Sequence, residues 1–175
     1  MKLEIGAGDI GKEGFIHTEL NLPVMKNHIE VICDGQYLPF KDNVFEEIFM
    51  WGVVEHFTYQ GVKKLFVECR RVLSTYGTIE FCVPDLKTVC NIILTDKTPF
   101  GEPPFGSDYN RCENKIMGYA LGCLYGSQNG PGQVHQSGWT IEIIEQYLKD
   151  AKFSIIKFDR NAYEPNTHLH FLAKK

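Results

Sequence analysis

Leu3-Glu4-Ile5-Gly6-Ala7-Gly8 carries an apolar stretch straight into glycines. Glycines at such a place let main-chain amides approach a ligand closely and turn the chain tightly. Phe15-Ile16-His17-Thr18-Glu19 ends a second apolar stretch in an acid, the residue type that accepts hydrogen bonds from two ribose hydroxyls. Cys33-Asp34-Gly35, after a third such stretch, offers another acid where an adenine amino group can donate. Any one of these alone is equally a strand-ending turn. In chain order, each at the end of a strand, they point to a nucleoside held along one edge of an α/β sheet.

The glycine loop also discriminates between nucleotides. Gly6-Ala7-Gly8-Asp9-Ile10-Gly11 matches the GxGxxG spacing of dinucleotide sites. A dinucleotide, however, seats its pyrophosphate at the N-terminus of a helix that follows the glycines. Asp9-Ile10-Gly11-Lys12-Glu13-Gly14 is a poor helix, and its acids are poor neighbours for phosphate. Glu19 lies 13 residues after Gly6, against about 20 in the dinucleotide pattern. A ligand with positive charge and no phosphate suits this loop better. S-adenosylmethionine, with its ribose, adenine, ammonium and sulfonium, is such a ligand.

Short apolar segments alternating with amphipathic ones must position these residues, the pattern of an α/β protein. Strands are expected at Lys2–Ile5, Phe15–Glu19, Glu30–Cys33, Glu47–Trp51, Thr78–Val83, Phe153–Phe158 and His168–Ala173. Helical spacing of Val62, Leu65, Phe66, Cys69, Val72 and Leu73 predicts a helix over Gln60–Leu73, with Gly77 behind it as a stop. Further helices are expected over Asp85–Thr95, over Glu113–Leu124, and from a Thr140 N-cap to Ala151. Residues 96–138, rich in Gly and Pro around the third helix, read as an insertion that shapes a substrate pocket as a lid.

A chain of 175 residues is one domain, 1–175, long enough to bury a real core. With 18 Lys+Arg against 22 Asp+Glu it has no whole-protein attraction to nucleic acid. No apolar run approaches the roughly 20 residues of a membrane helix, and Met1-Lys2-Leu3-Glu4 does not read as a signal peptide. A cytoplasmic protein is expected, with neither nucleic acid nor membrane as partner. The 6 cysteines are scattered without a CxxC pair, so buried thiols are expected, not zinc ligands or disulfides. His168 and His170 alternate with Leu169 and Phe171, and no metal is expected there or elsewhere.

Taken together, these residues resemble the class I S-adenosylmethionine-dependent methyltransferases. Leu3–Gly8 is similar to the first motif of that family, and Glu19 to its ribose acid. Cys33-Asp34-Gly35-Gln36-Tyr37-Leu38-Pro39-Phe40 resembles its adenine segment, and Glu47–Trp51 followed by Gly52-Val53-Val54-Glu55-His56 its fourth strand. Ser74-Thr75-Tyr76-Gly77-Thr78-Ile79 resembles its glycine turn and fifth strand. Val83-Pro84-Asp85-Leu86 and the run from His135 through Trp139 to Phe153 resemble a short subgroup often linked to glycan and surface-polysaccharide genes. The resemblance implies a Rossmann-like three-layer sandwich with a seven-stranded, mostly parallel sheet of order 3-2-1-4-5-7-6. It departs from the family in its first crossover, Gly6–Gly14, which is short enough to be a loop or single turn. It implies cofactor contacts from Glu4, Gly6, Ala7, Gly8, Glu19, Leu20, Asp34, Gly35, Gln36, Trp51, Gly52 and His56.

Methyl transfer is an in-line displacement at the sulfonium methyl, and the protein's main contribution is alignment. A hydroxyl or amine acceptor also needs a base within hydrogen-bond reach. The candidates are His56, His135 and Asp85; the structural alternatives are a loop-tying His56 and a helix-capping Asp85. The expected acceptor is a small molecule or glycan, and a homodimer that covers the thin sheet face is one possible assembly. A non-catalytic S-adenosylmethionine- or nucleoside-binding subunit is the rival reading. An NAD-dependent enzyme is disfavoured by Asp9 and Glu13.

Overall fold

The computed structural model describes residues 1–8, 11–20, 29–98, 113–130, 132–159 and 167–175. In chain order the elements are β1 (Lys2–Ile5), β2 (Ile16–Glu19), β3 (Val31–Ile32), β4 (Phe45–Trp51), a 3-10 turn (Val54–His56), α1 (Tyr59–Val72) and β5 (Leu73–Pro84). They continue with α2 (Leu86–Thr95), α3 (Lys115–Tyr125), α4 (Ile141–Asp150), β6 (Ser154–Asp159) and β7 (His168–Lys174). The sheet order is β3-β2-β1-β4-β5-β7-β6. β7 runs antiparallel to both its neighbours, and the remaining pairings are parallel. This is the order that the family resemblance implies. Consequently β1, β2, β3, β4 and β5 all end at one edge, where the glycines and acids lie.

Side-chain alternation gives the sheet two unlike faces. Leu3, Ile5, Ile48, Met50, Ile79, Phe81, Leu169 and Phe171 form a buried face packed beneath α1 and α4. α1 begins at Thr58, whose hydroxyl accepts from the Gly61 amide, and presents Val62, Leu65, Phe66, Cys69 and Val72 to that core. At roughly 1.5–3 kcal/mol for each large side chain removed from water, this layer dominates stability. The opposite face carries Glu4, His17, Phe49, Trp51, Glu80 and His170. Phe49 stacks on Trp51 at 5.5 Å, and the His170 ring pairs with Glu80 at 2.8 Å.

Of the short first crossover, Asp9 and Ile10 lie outside the described residues, and residues 11–14 form no helix. Glu4 ties this segment down. It is buried, accepts from the Lys12 amide at 2.6 Å and sits 3.4 Å from His17 Nε2. The Lys12 ammonium lies 3.7 Å from the centre of the Phe49 ring, so a cation and aromatic rings cover the face where a helix would otherwise pack.

The structure corrects the sequence expectation in three places. α1 passes directly into β5 at Leu73, and Ser74–Gly77 is strand, not a stop and turn. Phe45 pairs with Leu73, and an irregularity before Glu47 keeps the later register intact. A Cβ at Gly77 would lie 3.1 Å from the Phe45 carbonyl, so this glycine permits backbone approach within the strand. Thr140 occupies the cap position of α4, but its side chain makes no cap hydrogen bond. Cys90 is exposed, unlike Cys69 and Cys82; Cys112 lies outside the described residues.

Within 96–138, α3 is a folded helix that packs Tyr119 and Ala120 against Val89 and Ile92 of α2. Tyr119 Oη meets the Thr167 hydroxyl at 2.5 Å, which joins α3 to the start of β7. Residues 99–112 and Pro131, which belong to the expected lid, lie outside the described residues. No described helix is long and apolar enough to cross a membrane.

Candidate functional site

β1 ends in a turn that only glycine enters easily. Gly6 has φ +69°, and a Cβ there would lie 2.6 Å from Val53 Cγ2; Gly8 has φ +58°. The amides of Gly6 and Ala7 both donate to the Thr18 carbonyl, which fixes the loop against β2. Glu19, the last residue of β2, accepts from the Gly8 amide at 3.1 Å and from the Leu20 amide at 2.9 Å. The predicted ribose acid therefore stands at the mouth of the glycine loop. Leu20 is exposed beside it.

After β3, Asp34 closes a tight turn. Its carboxylate accepts from the Gln36 amide and side-chain nitrogen, and its carbonyl accepts from the Tyr37 amide. Gly35 packs closely, since a Cβ there would lie 2.9 Å from Leu65 Cδ1. Asp34, Gly35 and Gln36 thus form a rigid corner one strand further along the edge from Glu19. Trp51 ends β4 half-buried, stacked on Phe49 and 5.8 Å from the His170 ring. Gly52 follows with φ +62° and turns the chain into the 3-10 helix that carries Glu55 and His56.

His56 and His135, 79 residues apart in sequence, meet with ring centres 4.7 Å apart and planes at 84°. His56 Nδ1 donates to the Val134 carbonyl at 3.3 Å, and His135 Nδ1 donates to the Cys123 carbonyl at 2.9 Å. Burial pushes the His56 imidazole below its ordinary value, although the charge of Glu19 acts on it in the opposite direction. Burial thus favours the neutral form of the ring. The segment that brings His135 is pinned in place. The amides of Gln136 and Ser137 donate to the Glu55 carbonyl, the Gln136 side chain donates to the His56 carbonyl, and Tyr59 Oη donates to the Gly138 carbonyl.

A cavity of about 300 Å³ opens beside this pair, lined by Tyr59, Pro84, Leu86, Val89, Leu124 and Tyr125 together with His135. Its walls combine apolar and aromatic side chains with the polar groups of His135, Gln136 and Ser137, a make-up that suits a small molecule. Asp85 is the N-cap residue of α2. It is buried, with one carboxylate oxygen on the Lys87 amide and the other on the Thr88 hydroxyl, the geometry of an N-cap on α2. His168 bonds the Thr167 hydroxyl through Nδ1.

Glu55 was not singled out in the sequence. It is 3% exposed, burial pushes its carboxyl up to about 8, and its Oε2 is buried without a hydrogen-bond partner. An acid following the apolar pair Val53-Val54 was the available signal.

Residues 15–81 match the family model described as a methyltransferase domain. No curated protein matches the sequence. Among solved structures, the chain resembles the 1,6-didemethyltoxoflavin-N1-methyltransferase of Burkholderia thailandensis, crystallised with 1,6-didemethyltoxoflavin and S-adenosylhomocysteine. The TM-score is 0.61 at 15% identity, over 99% of this chain and 70% of that one. A Pyrococcus horikoshii protein gives a TM-score of 0.65 at 16% identity, over 99% of this chain and 80% of that one. An S-adenosylmethionine-dependent methyltransferase from Mesorhizobium loti gives 0.61 at 12% identity, over 99% and 90%. At these identities the likeness is one of fold. The domain match, over residues 15–81, supports an enzyme of the methyltransferase type.

Proposed function

We propose that this chain transfers the methyl group of S-adenosylmethionine to an oxygen or nitrogen of a small-molecule or sugar acceptor held in the cavity beside His135. The observation that carries this reading is the convergence at His56. The imidazole is felt by Glu19 on the cofactor side and touches His135, which lines the cavity. A nucleoside edge and an acceptor pocket thus share one boundary.

In this reading Gly6, Ala7 and Gly8 give main-chain approach to the methionine portion, and Glu19 takes the ribose hydroxyls. The Asp34-Gly35-Gln36 corner faces adenine, and Trp51 and Gly52 flank the methyl donor. Glu4 acts through the loop it fastens to Lys12. Leu20 covers the nucleoside, and the segment 132–138 covers the acceptor. His56 or His135 accepts the acceptor's proton as its lone pair attacks the sulfonium methyl, and the carbon–sulfur bond breaks to leave S-adenosylhomocysteine. Asp85 serves the site through α2, which forms one wall of the cavity.

Isothermal titration with S-adenosylhomocysteine and with NAD tests the cofactor assignment. Binding of S-adenosylhomocysteine and not of NAD is expected. Tighter binding of NAD would end this reading. Turnover of radiolabelled S-adenosylmethionine with hydroxyl- and amine-bearing acceptors then tests the chemistry.

A further inference from the structure

The methyl-transfer reading leaves Glu55 without a role, although it is the buried acid nearest the two histidines. We propose that Glu55, His56 and His135 form a binding site for a divalent transition-metal ion of the zinc type, open toward the acceptor cavity. One ligand atom from each residue lies within 4.8 Å of the others. A carboxylate oxygen buried without a hydrogen-bond partner demands either a proton or a cation, and Glu55 Oε2 is such an atom.

The imidazoles are held in place by the main chain. Nδ1 of His56 lies 3.3 Å from the Val134 carbonyl and Nδ1 of His135 lies 2.9 Å from that of Cys123, the kind of contact that orients a ligating ring. Two imidazoles and one carboxylate make up a ligand set used by catalytic zinc sites with an open position, and also by non-haem iron. Magnesium and calcium, which call for a shell of oxygens, fit it poorly.

Tetrahedral donors at about 2.1 Å from zinc stand roughly 3.4 Å apart, so loading draws the three groups together by at most about 1.4 Å. The Gln136 and Ser137 amides already hold the two chain segments together on the Glu55 carbonyl. The site consists of these three residues and does not depend on the identity of the cofactor. Metal and proton compete for the same lone pairs. A loaded site would therefore offer a coordination position to the acceptor's oxygen or nitrogen in place of a base.

Chelator-stripped protein titrated with Zn²⁺ by calorimetry, and with Co²⁺ by visible absorption, tests the proposal without any assay of turnover. One ion per chain is expected, with the intensified Co²⁺ band of a low-coordinate site. Affinity should fall at least about tenfold in His56→Ala, in His135→Ala and in the isosteric Glu55→Gln. His168→Ala, outside the cluster, should bind as the parent does. Circular dichroism confirms each fold, and Glu55→Gln keeps the test intact where a histidine variant unfolds. No binding at millimolar metal overturns the site, as does an affinity that none of the three substitutions moves. Titrating S-adenosylhomocysteine into the same preparations separates the two readings: cofactor binding without metal binding refutes only the metal site, and the reverse refutes only the methyl-transfer reading.

Discussion

Glu55 makes the ion-free protein's stability depend on pH in a way that can be calculated in advance. Its carboxyl is raised from an ordinary 4.5 to about 8 because burial removes the solvation of the charged form. Below pH 4.5 the folded and unfolded chains both hold the proton. Between pH 4.5 and 8 the folded chain keeps a proton that the unfolded chain has released. Stability therefore falls as pH rises, by about 1.4 kcal/mol per pH unit, and levels off above the folded value. At 3% exposure little solvent screening reduces this effect, so the whole window is worth on the order of 5 kcal/mol. Glu55→Gln replaces the protonated acid with a neutral group of the same shape and abolishes the slope. Urea unfolding of both proteins with a chelator present, at intervals from pH 5 to 8, measures the difference. The advantage of the variant should grow by roughly 3–4 kcal/mol across that range. His56, whose value is lowered by burial, contributes the opposite slope up to its ordinary 6.5, but it is common to both proteins and cancels. Parallel profiles would refute the reasoning and place Glu55 in contact with solvent or a hidden partner.

Three further outcomes are expected. Glu19→Ala should weaken S-adenosylhomocysteine binding by roughly 10- to 150-fold, the loss of about 1.5–3 kcal/mol from a charged acceptor, as read by calorimetry on a variant with a native dichroism spectrum. Gly6→Ala should lower the melting temperature and impair cofactor binding together. Its left-handed conformation costs about 1–2 kcal/mol for a residue with a side chain, and the new Cβ meets Val53 Cγ2 at 2.6 Å. His135→Ala should lower kcat by about 10²–10⁴ with cofactor affinity nearly unchanged, once an acceptor is identified by turnover screening; full turnover would move the proton-accepting role to His56.

Local chemistry made the glycine and acid edge of the sheet legible. A strand that runs into glycines, a second that ends in Glu19 and a third followed by Asp34 state their placement through residue type, because parallel strands must deliver their ends to one edge. The α1 stripe from Val62 to Val72 was equally plain, since helical period and burial coincide there. The Leu73–Gly77 run read as a turn because glycine and polar residues signal one locally. Pairing of Leu73 with Phe45 overrode that signal and extended the strand. Asp85 shows the same ambiguity from the other side, as an acid at a strand end is chemically suited to either a base or a cap, and only its bonds to Lys87 and Thr88 distinguish them. The sequence by itself determined which residues could bind a nucleoside, since that information lies within stretches of a few residues. Only the tertiary structure decided that buried Glu55 and His56 lie close to a histidine from beyond α3, because contacts across 79 residues follow from packing, and no local spacing encodes them.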